Sequence, residues 1–253
     1  MEGLRGKVAI VTGGNSGFGR ATSLCFAKEG VNVVIAARSK EKAAETLRLM
    51  EAAGGKGIFI PTDLTHAEEV EKLVTKTVEA FGRLDFGVNI AGIGGPFLPT
   101  ADYSEQAWHE VLTINLTAVW LCMKYELQQM MTQGGGGAIV NMSGTFGLIG
   151  AANLAPYSAT RHAVLGLTKS AALEYIQHGI RINAVCPGAF KTPMLDAATG
   201  NRPEVEAQWA SLMPINRLGD PPEVANAIVW LCSNDSSFVV GHALAVDGGW
   251  AIQ

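Results

Sequence analysis

Apolar positions in this chain fall into short dense runs separated by longer stretches in which they recur every three or four residues. The dense runs cover residues 8–11, 31–37, 57–60, 84–90, 138–142, 180–185 and 243–246. Runs of that length without alternation suit strands covered on both faces. The intervening stretches predict helices. The first carries Ala21, Leu24, Cys25 and Phe26 on one face and ends at Lys28-Glu29-Gly30; others span 40–53, 67–81, 105–131, 155–177 and 221–233. Glu68 and Glu69 open the helix at 67–81, where carboxylates suit the positive end of the dipole. Glycines at 134–137 and Gly179 stop the two longest helices. Residues 193–213 predict short helices forming a lid. Six strand–helix alternations, with no long linker or repeat, predict one doubly wound α/β domain over 1–253. Its parallel sheet has about seven strands, with a substrate lid at about 190–213.

Between the first strand and first helix lies Thr12-Gly13-Gly14-Asn15-Ser16-Gly17-Phe18-Gly19. Glycines there let backbone approach a pyrophosphate, and the N–H groups opening the helix face its charge. Strand, loop and helix together predict the dinucleotide cradle of a Rossmann-type domain. The second strand ends in Ala37-Arg38-Ser39, where an acidic residue would bind both ribose hydroxyls. Arg38 instead offers a fork for a 2′-phosphate. The expected cofactor is NADP(H), with NAD(H) possible.

Composition narrows the partners. Apolar residues make up 48% of the chain, and a net charge of −4 without a Lys/Arg cluster points to neither nucleic acid nor membrane. Cys25, Cys122, Cys186 and Cys232 are scattered and read as reduced core thiols. The histidines show no metal-binding spacing, so no metal is expected. Residues 1–6 are too short and polar for a signal peptide, which predicts a cytoplasmic protein.

Further marks recur along the chain: Asp63-Leu64, Asn89-Ile90-Ala91-Gly92, Asn115, Tyr157, Pro187-Gly188 and Thr192. With the glycine loop, they make the whole chain resemble the short-chain dehydrogenase/reductase family. The resemblance implies that Asp63 and Leu64 flank adenine and that Asn89, Ala91 and Gly92 run beneath the adenosine ribose. Pro187, Gly188 and Thr192, with Met194 beside them, would hold the nicotinamide. Asn115 would bend the long helix and place a water in a proton relay. Tyr157 would exchange the proton at the substrate oxygen. A lysine four residues later holds the nicotinamide ribose in this family, and a serine near the end of strand five holds the carbonyl oxygen. Tetramers with two-fold axes are also implied, built on the long helices and the apolar tail 238–250.

Two positions depart from that pattern. Position 161 is arginine, which keeps the charge but is longer, planar and permanently protonated. In Asn141-Met142-Ser143-Gly144-Thr145-Phe146-Gly147 the serine position falls on Gly144, with Ser143 and Thr145 expected to point elsewhere. Ile90 also replaces the second asparagine of the family's Asn-Asn-Ala-Gly. Three readings remain open. The protein reduces hydrophobic ketones or oxidises the alcohols through Tyr157 and Arg161; it reduces a C=N bond, which needs no donor on oxygen; or it binds NADP(H) without turnover. Phe97, Phe146, Leu148, Leu195, Trp209 and Met213 predict a neutral, hydrophobic substrate.

Overall fold

A computed structural model describes all 253 residues. Seven strands form one parallel sheet in the order β3-β2-β1-β4-β5-β6-β7. These are β1 (Val8–Thr12), β2 (Asn32–Ala37), β3 (Lys56–Pro61), β4 (Phe86–Asn89), β5 (Gly137–Met142), β6 (Ile180–Pro187) and β7 (Ala243–Val246). The helices are α1 (Gly17–Lys28), α2 (Lys40–Ala52), α3 (Ala67–Phe81), α4 (Glu105–Leu112), α5 (Ala118–Gln133), α6 (Ala155–Tyr175), α7 (Pro193–Thr199), α8 (Pro203–Ser211) and α9 (Pro221–Cys232).

Strand alternation divides the core. Ala9, Val11, Val33, Ile35 and Val140 pack with Phe26 of α1 and Val224, Ile228 and Val229 of α9 on one face. Ile10, Val34, Ala36 and Ile139 pack with Leu73 of α3, Met123 and Leu127 of α5, and Val164 of α6 on the other. Both faces are thus buried, which explains the dense apolar runs. All four cysteines are free thiols. Burial pushes the Cys232 thiol up to about 12, so it stays protonated in the core. No helix is long and apolar enough to cross a membrane.

Strand order reverses between β1 and β4, whose outer neighbours are β2 and β5. Ligands of such sheets bind at the carboxyl ends of the strands beside this switch point. Two elements differ from expectation there. β4 stops at Asn89, because the Thr12 hydroxyl accepts hydrogen bonds from the N–H groups of Ile90 (2.9 Å) and Ala91 (3.2 Å) and turns the backbone out of the ladder. The helix expected over 105–131 is interrupted by a π-helical turn, Thr113–Thr117, between α4 and α5. Asn115 lies in that turn. It accepts a bond from Ile93 N–H and donates one to Ile93 C=O, each at 2.8 Å, so the wider turn is tied to the segment following β4.

Candidate active site

A cleft of about 890 Å³ opens over the carboxyl ends of the strands. Its first wall is the glycine loop. Gly13 and Gly17 have φ values of 68° and 46°, which glycine adopts without strain. A Cβ on Gly19 would lie 2.1 Å from the Gly13 carbonyl oxygen. Gly19 therefore lets the loop close on α1 and does not itself line the cleft. Gly13, Asn15, Ser16, Gly17 and Phe18 do. Ser16 precedes α1 without a side-chain cap bond, so the helix's first N–H groups have no side-chain acceptor. This wall fits a pyrophosphate.

Arg38 and Ser39 line the cleft beyond β2, joined by Lys42 one helical turn on. Neither Arg38 nor Lys42 is in a salt bridge, whereas Arg20 nearby is paired with Glu45 at 2.8 Å. The sequence reading missed Lys42; its spacing of four from Arg38 was the available signal. Asp63 and Leu64 also line this end. Asp63 Oδ1 accepts bonds from Thr65 Oγ1 (2.7 Å) and Thr65 N–H (3.0 Å). These bonds hold the Asp63 carboxyl below its ordinary range, with small pulls from His66 and Arg38 in the same direction.

The floor beyond β4 comes from Ile90, Ala91 and Gly92, but not from Asn89. Asn89 is buried, and its amide donates to Glu126 Oε2 and to Asn141 Oδ1, each at 3.1 Å. Asn141 in turn donates to Thr168 Oγ1 at 3.0 Å. Asn89 is therefore part of a polar knot behind the sheet. Glu126 itself is fully buried, and desolvation pushes its carboxyl up from 4.5 to about 7. A Cβ on Gly87 would lie 2.3 Å from Glu126 Oε2, so glycine makes the room for this acid. Asn115 likewise lies behind the cleft, with its side chain engaged by Ile93.

Tyr157 enters the cleft from the first turn of α6, which Pro156 helps to start. Its hydroxyl makes no hydrogen bond within the protein. Its ring packs between the Arg161 guanidinium, 4.8 Å from the ring centroid, and the Phe146 ring at 6.4 Å. Arg161 is one of the largest fully buried side chains. Its Nη1 donates to Met142 C=O at 2.9 Å, while Nε has no partner. A Cβ on Gly92 would lie 2.6 Å from Nη2, so this glycine admits the guanidinium behind Tyr157.

Gly144 lines the cleft opposite, where its Cβ position would lie 3.7 Å from the Tyr157 hydroxyl. No side chain fills that space. The hydroxyls on either side are engaged elsewhere: Ser143 Oγ donates to Arg161 C=O at 2.9 Å, and Thr145 Oγ1 donates to Pro187 C=O at 3.1 Å. Pro187, Gly188, Thr192 and Met194 complete the far wall. Thr192 also caps α7, accepting from Leu195 N–H at 3.4 Å.

Much of the remaining lining is apolar, including Ile93, Phe97, Phe146, Leu154, Leu195, Trp209 and Trp250. Charged side chains reach the cleft only at Arg38, Lys42, Asp63 and Arg161. The apolar residues of the tail 238–250 are not all presented to solvent. Phe238 is fully exposed, but Trp250 is buried among Leu195, Met213 and Leu218. It is remote in sequence from every other cleft residue, and no local pattern marks it.

Comparison with known proteins agrees with this geometry. Residues 13–251 match the family described as Enoyl-(Acyl carrier protein) reductase. The chain is 42% identical over 253 residues to the short chain dehydrogenase/reductase astE of Aspergillus oryzae, covering 98% of this chain and 96% of that protein. It is 43% identical over 250 residues to a 2,5-dichloro-2,5-cyclohexadiene-1,4-diol dehydrogenase of Sphingobium indicum, covering 99% of each. Among solved structures, levodione reductase superposes with a TM-score of 0.95 at 34% identity, covering 98% of each chain. A variant of actinorhodin polyketide ketoreductase with NADPH gives 0.94 at 35%, covering 100% of each. NAD+-bound xylitol dehydrogenase gives 0.93 at 31%, covering 98% of this chain and 100% of that one. The chain belongs to the short-chain dehydrogenase/reductase family and is a nicotinamide-dependent oxidoreductase of that type.

Proposed function

We propose that this protein is an NADP(H)-dependent oxidoreductase of hydrophobic cyclic ketones and their alcohols. The observation that carries this is an unbonded Tyr157 hydroxyl between a phosphate-binding loop and an apolar lid. Dehydrogenation of a cyclic diol by one relative, and the similarity to levodione reductase, support the cyclic class.

Bound NADPH supplies the hydride, and the chain's residues do the rest. Arg38 and Lys42 flank the place for a 2′-phosphate, and Ser39 adds a hydroxyl. Tyr157 moves the proton at the substrate oxygen. Arg161, stacked behind its ring and fixed by Met142, holds positive charge beside the tyrosine from a largely buried position at the cleft wall. The lid residues Leu195 and Trp209 turn apolar surface toward the cleft. Gly144 leaves that oxygen one donor short, which typically costs about 10²–10³ in rate.

The empty space at Gly144 favours a second reading, reduction of a cyclic C=N bond, since a protonated imine needs no donor on oxygen. NADPH oxidation measured side by side with a cyclic ketone and a cyclic imine separates the two. Faster ketone turnover supports the first reading, and imine turnover without ketone turnover replaces it.

Assembly as a homotetramer belongs to the same proposal. Phe238 and Leu173 are among the most exposed large apolar residues, and Trp120 on α5 is half-exposed. Contacts with further copies of the chain would cover these side chains.

A further inference from the structure

We propose that Trp250 is the ring-selecting residue of the substrate site, the wall against which a flat cyclic substrate packs. The inference rests on the ketone/alcohol reading and adds to it the residue that sets substrate shape.

Four edge-to-face contacts join five rings into a belt around the substrate half of the cleft. Phe97 meets Trp209 at 6.4 Å, Trp209 meets Trp250 at 6.0 Å, Trp250 meets Phe146 at 5.1 Å, and Phe146 meets Tyr157 at 6.4 Å. Trp250 is the middle member, and it joins the lid residue Trp209 to the ring that packs on Tyr157. It is 8% exposed, yet it lines the cleft, so its open edge faces the space left for substrate.

The backbone around Trp250 is fixed. Asp247, itself buried, accepts bonds from Gly249 N–H at Oδ1 (3.0 Å) and from Ala251 N–H at Oδ2 (2.9 Å), and its carbonyl accepts from Trp250 N–H at 3.2 Å. Thr145, next to Gly144, approaches the same carboxylate at 3.5 Å. Gly248 and Gly249, with φ values of 62° and 89°, make the turn that brings the indole inward. Rigid aromatic walls reward a flat ring, which loses little conformational freedom on binding, over an open chain of equal size. Apart from the Arg161 guanidinium behind Tyr157, no charged side chain stands among these rings to favour an ionic substrate.

The alternative is that Trp250 only packs the lid, since it sits in the small cluster with Leu195, Met213 and Leu218. The two roles separate by measuring selectivity. The protein saturated with NADPH is assayed on 1-tetralone and on 2-octanone, as wild type, Trp250→Ala and Trp250→Phe. In parallel, binding of both ketones to each protein–NADP+ complex is titrated calorimetrically. The expected result is a fall of about 10-fold or more in the tetralone-to-octanone ratio of kcat/KM for Trp250→Ala. Trp250→Phe should recover most of that ratio, and NADPH affinity should be unchanged in both. Equal losses on both ketones would overturn the proposal, because damage to lid packing alone lowers both together. If wild type reduces neither ketone, the ketone/alcohol reading falls and calorimetry with both ketones decides: a larger loss of binding for 1-tetralone than for 2-octanone in Trp250→Ala supports the ring wall, and equal losses or unchanged binding overturn it.

Discussion

At the scale of single residues, the active cleft is shaped by which hydroxyls are free. Tyr157 keeps an unbonded hydroxyl, whereas Ser143 and Thr145 are tied to the Arg161 and Pro187 carbonyls. Restoring a side chain at Gly144 has room, with the nearest atoms at 3.7 and 3.8 Å. The Gly144 φ of 158° lies at the edge of the region glycine prefers, so a serine needs a small backbone rotation. Gly144→Ser should therefore raise ketone reduction by about 10-fold, below the full worth of an oxyanion donor; an unchanged or lower rate would mean the glycine makes space for substrate. Arg38 and Lys42 give a second expectation. Replacing both with alanine should weaken NADPH binding about 10-fold or more and leave NADH nearly unaffected, as fluorescence titration would show. Equal weakening of the two cofactors would remove the 2′-phosphate site. Local sequence revealed the glycine loop and the side-chain gap at Gly144, because spacing within one strand–loop–helix unit sets them. The turning away of Asn89 was not legible, because its partner Glu126 lies on a different element and nothing nearby in sequence signals it.

At the scale of elements, the strand and helix pattern was readable because both faces of each inner strand are covered. Boundaries slipped where side chains capture backbone: Thr12 ends β4, and Asn115 draws its π turn toward Ile93. The buried acid on α5 carries its own consequence. Folding raises the Glu126 carboxyl from 4.5 to about 7, so the folded state holds its proton more tightly than the unfolded state. Between those pH values the unfolded chain loses the proton first, and stability falls as pH rises. The loss amounts to roughly 3 kcal/mol once pH exceeds the folded value. Glu126→Gln, which retains an acceptor for Asn89, should flatten this slope. Urea unfolding at pH 5 and pH 8 tests it: the wild type should lose more stability than the variant between the two. Parallel pH profiles would show that Glu126 does not titrate there.

At the scale of the whole molecule, the sheet gathers segments from Gly13 to Trp250 around one cleft, which is why no single stretch of sequence shows the site complete. The polar half of the lining was largely legible as motifs. The apolar half was legible only as composition, because which aromatic rings meet depends on how the lid and last turn fold back. Exposed Phe238 and Leu173 predict assembly, and light scattering at micromolar concentration should give the mass of a tetramer rather than the 26.6 kDa of one chain. A monomer mass would reject that assembly.

The proposed chemistry turns on Tyr157 as the group that moves the proton at the substrate oxygen. Steady-state NADPH oxidation with a cyclic ketone, comparing wild type with Tyr157→Phe at saturating cofactor, measures it. Removing one hydroxyl leaves the Phe146 and Arg161 packing in place, so the variant should bind NADPH as wild type does. It should lose about 10²-fold or more in kcat, the scale of a positioned general acid. A variant that binds NADPH normally and reduces the ketone at the wild-type rate would show that Tyr157 does not move that proton.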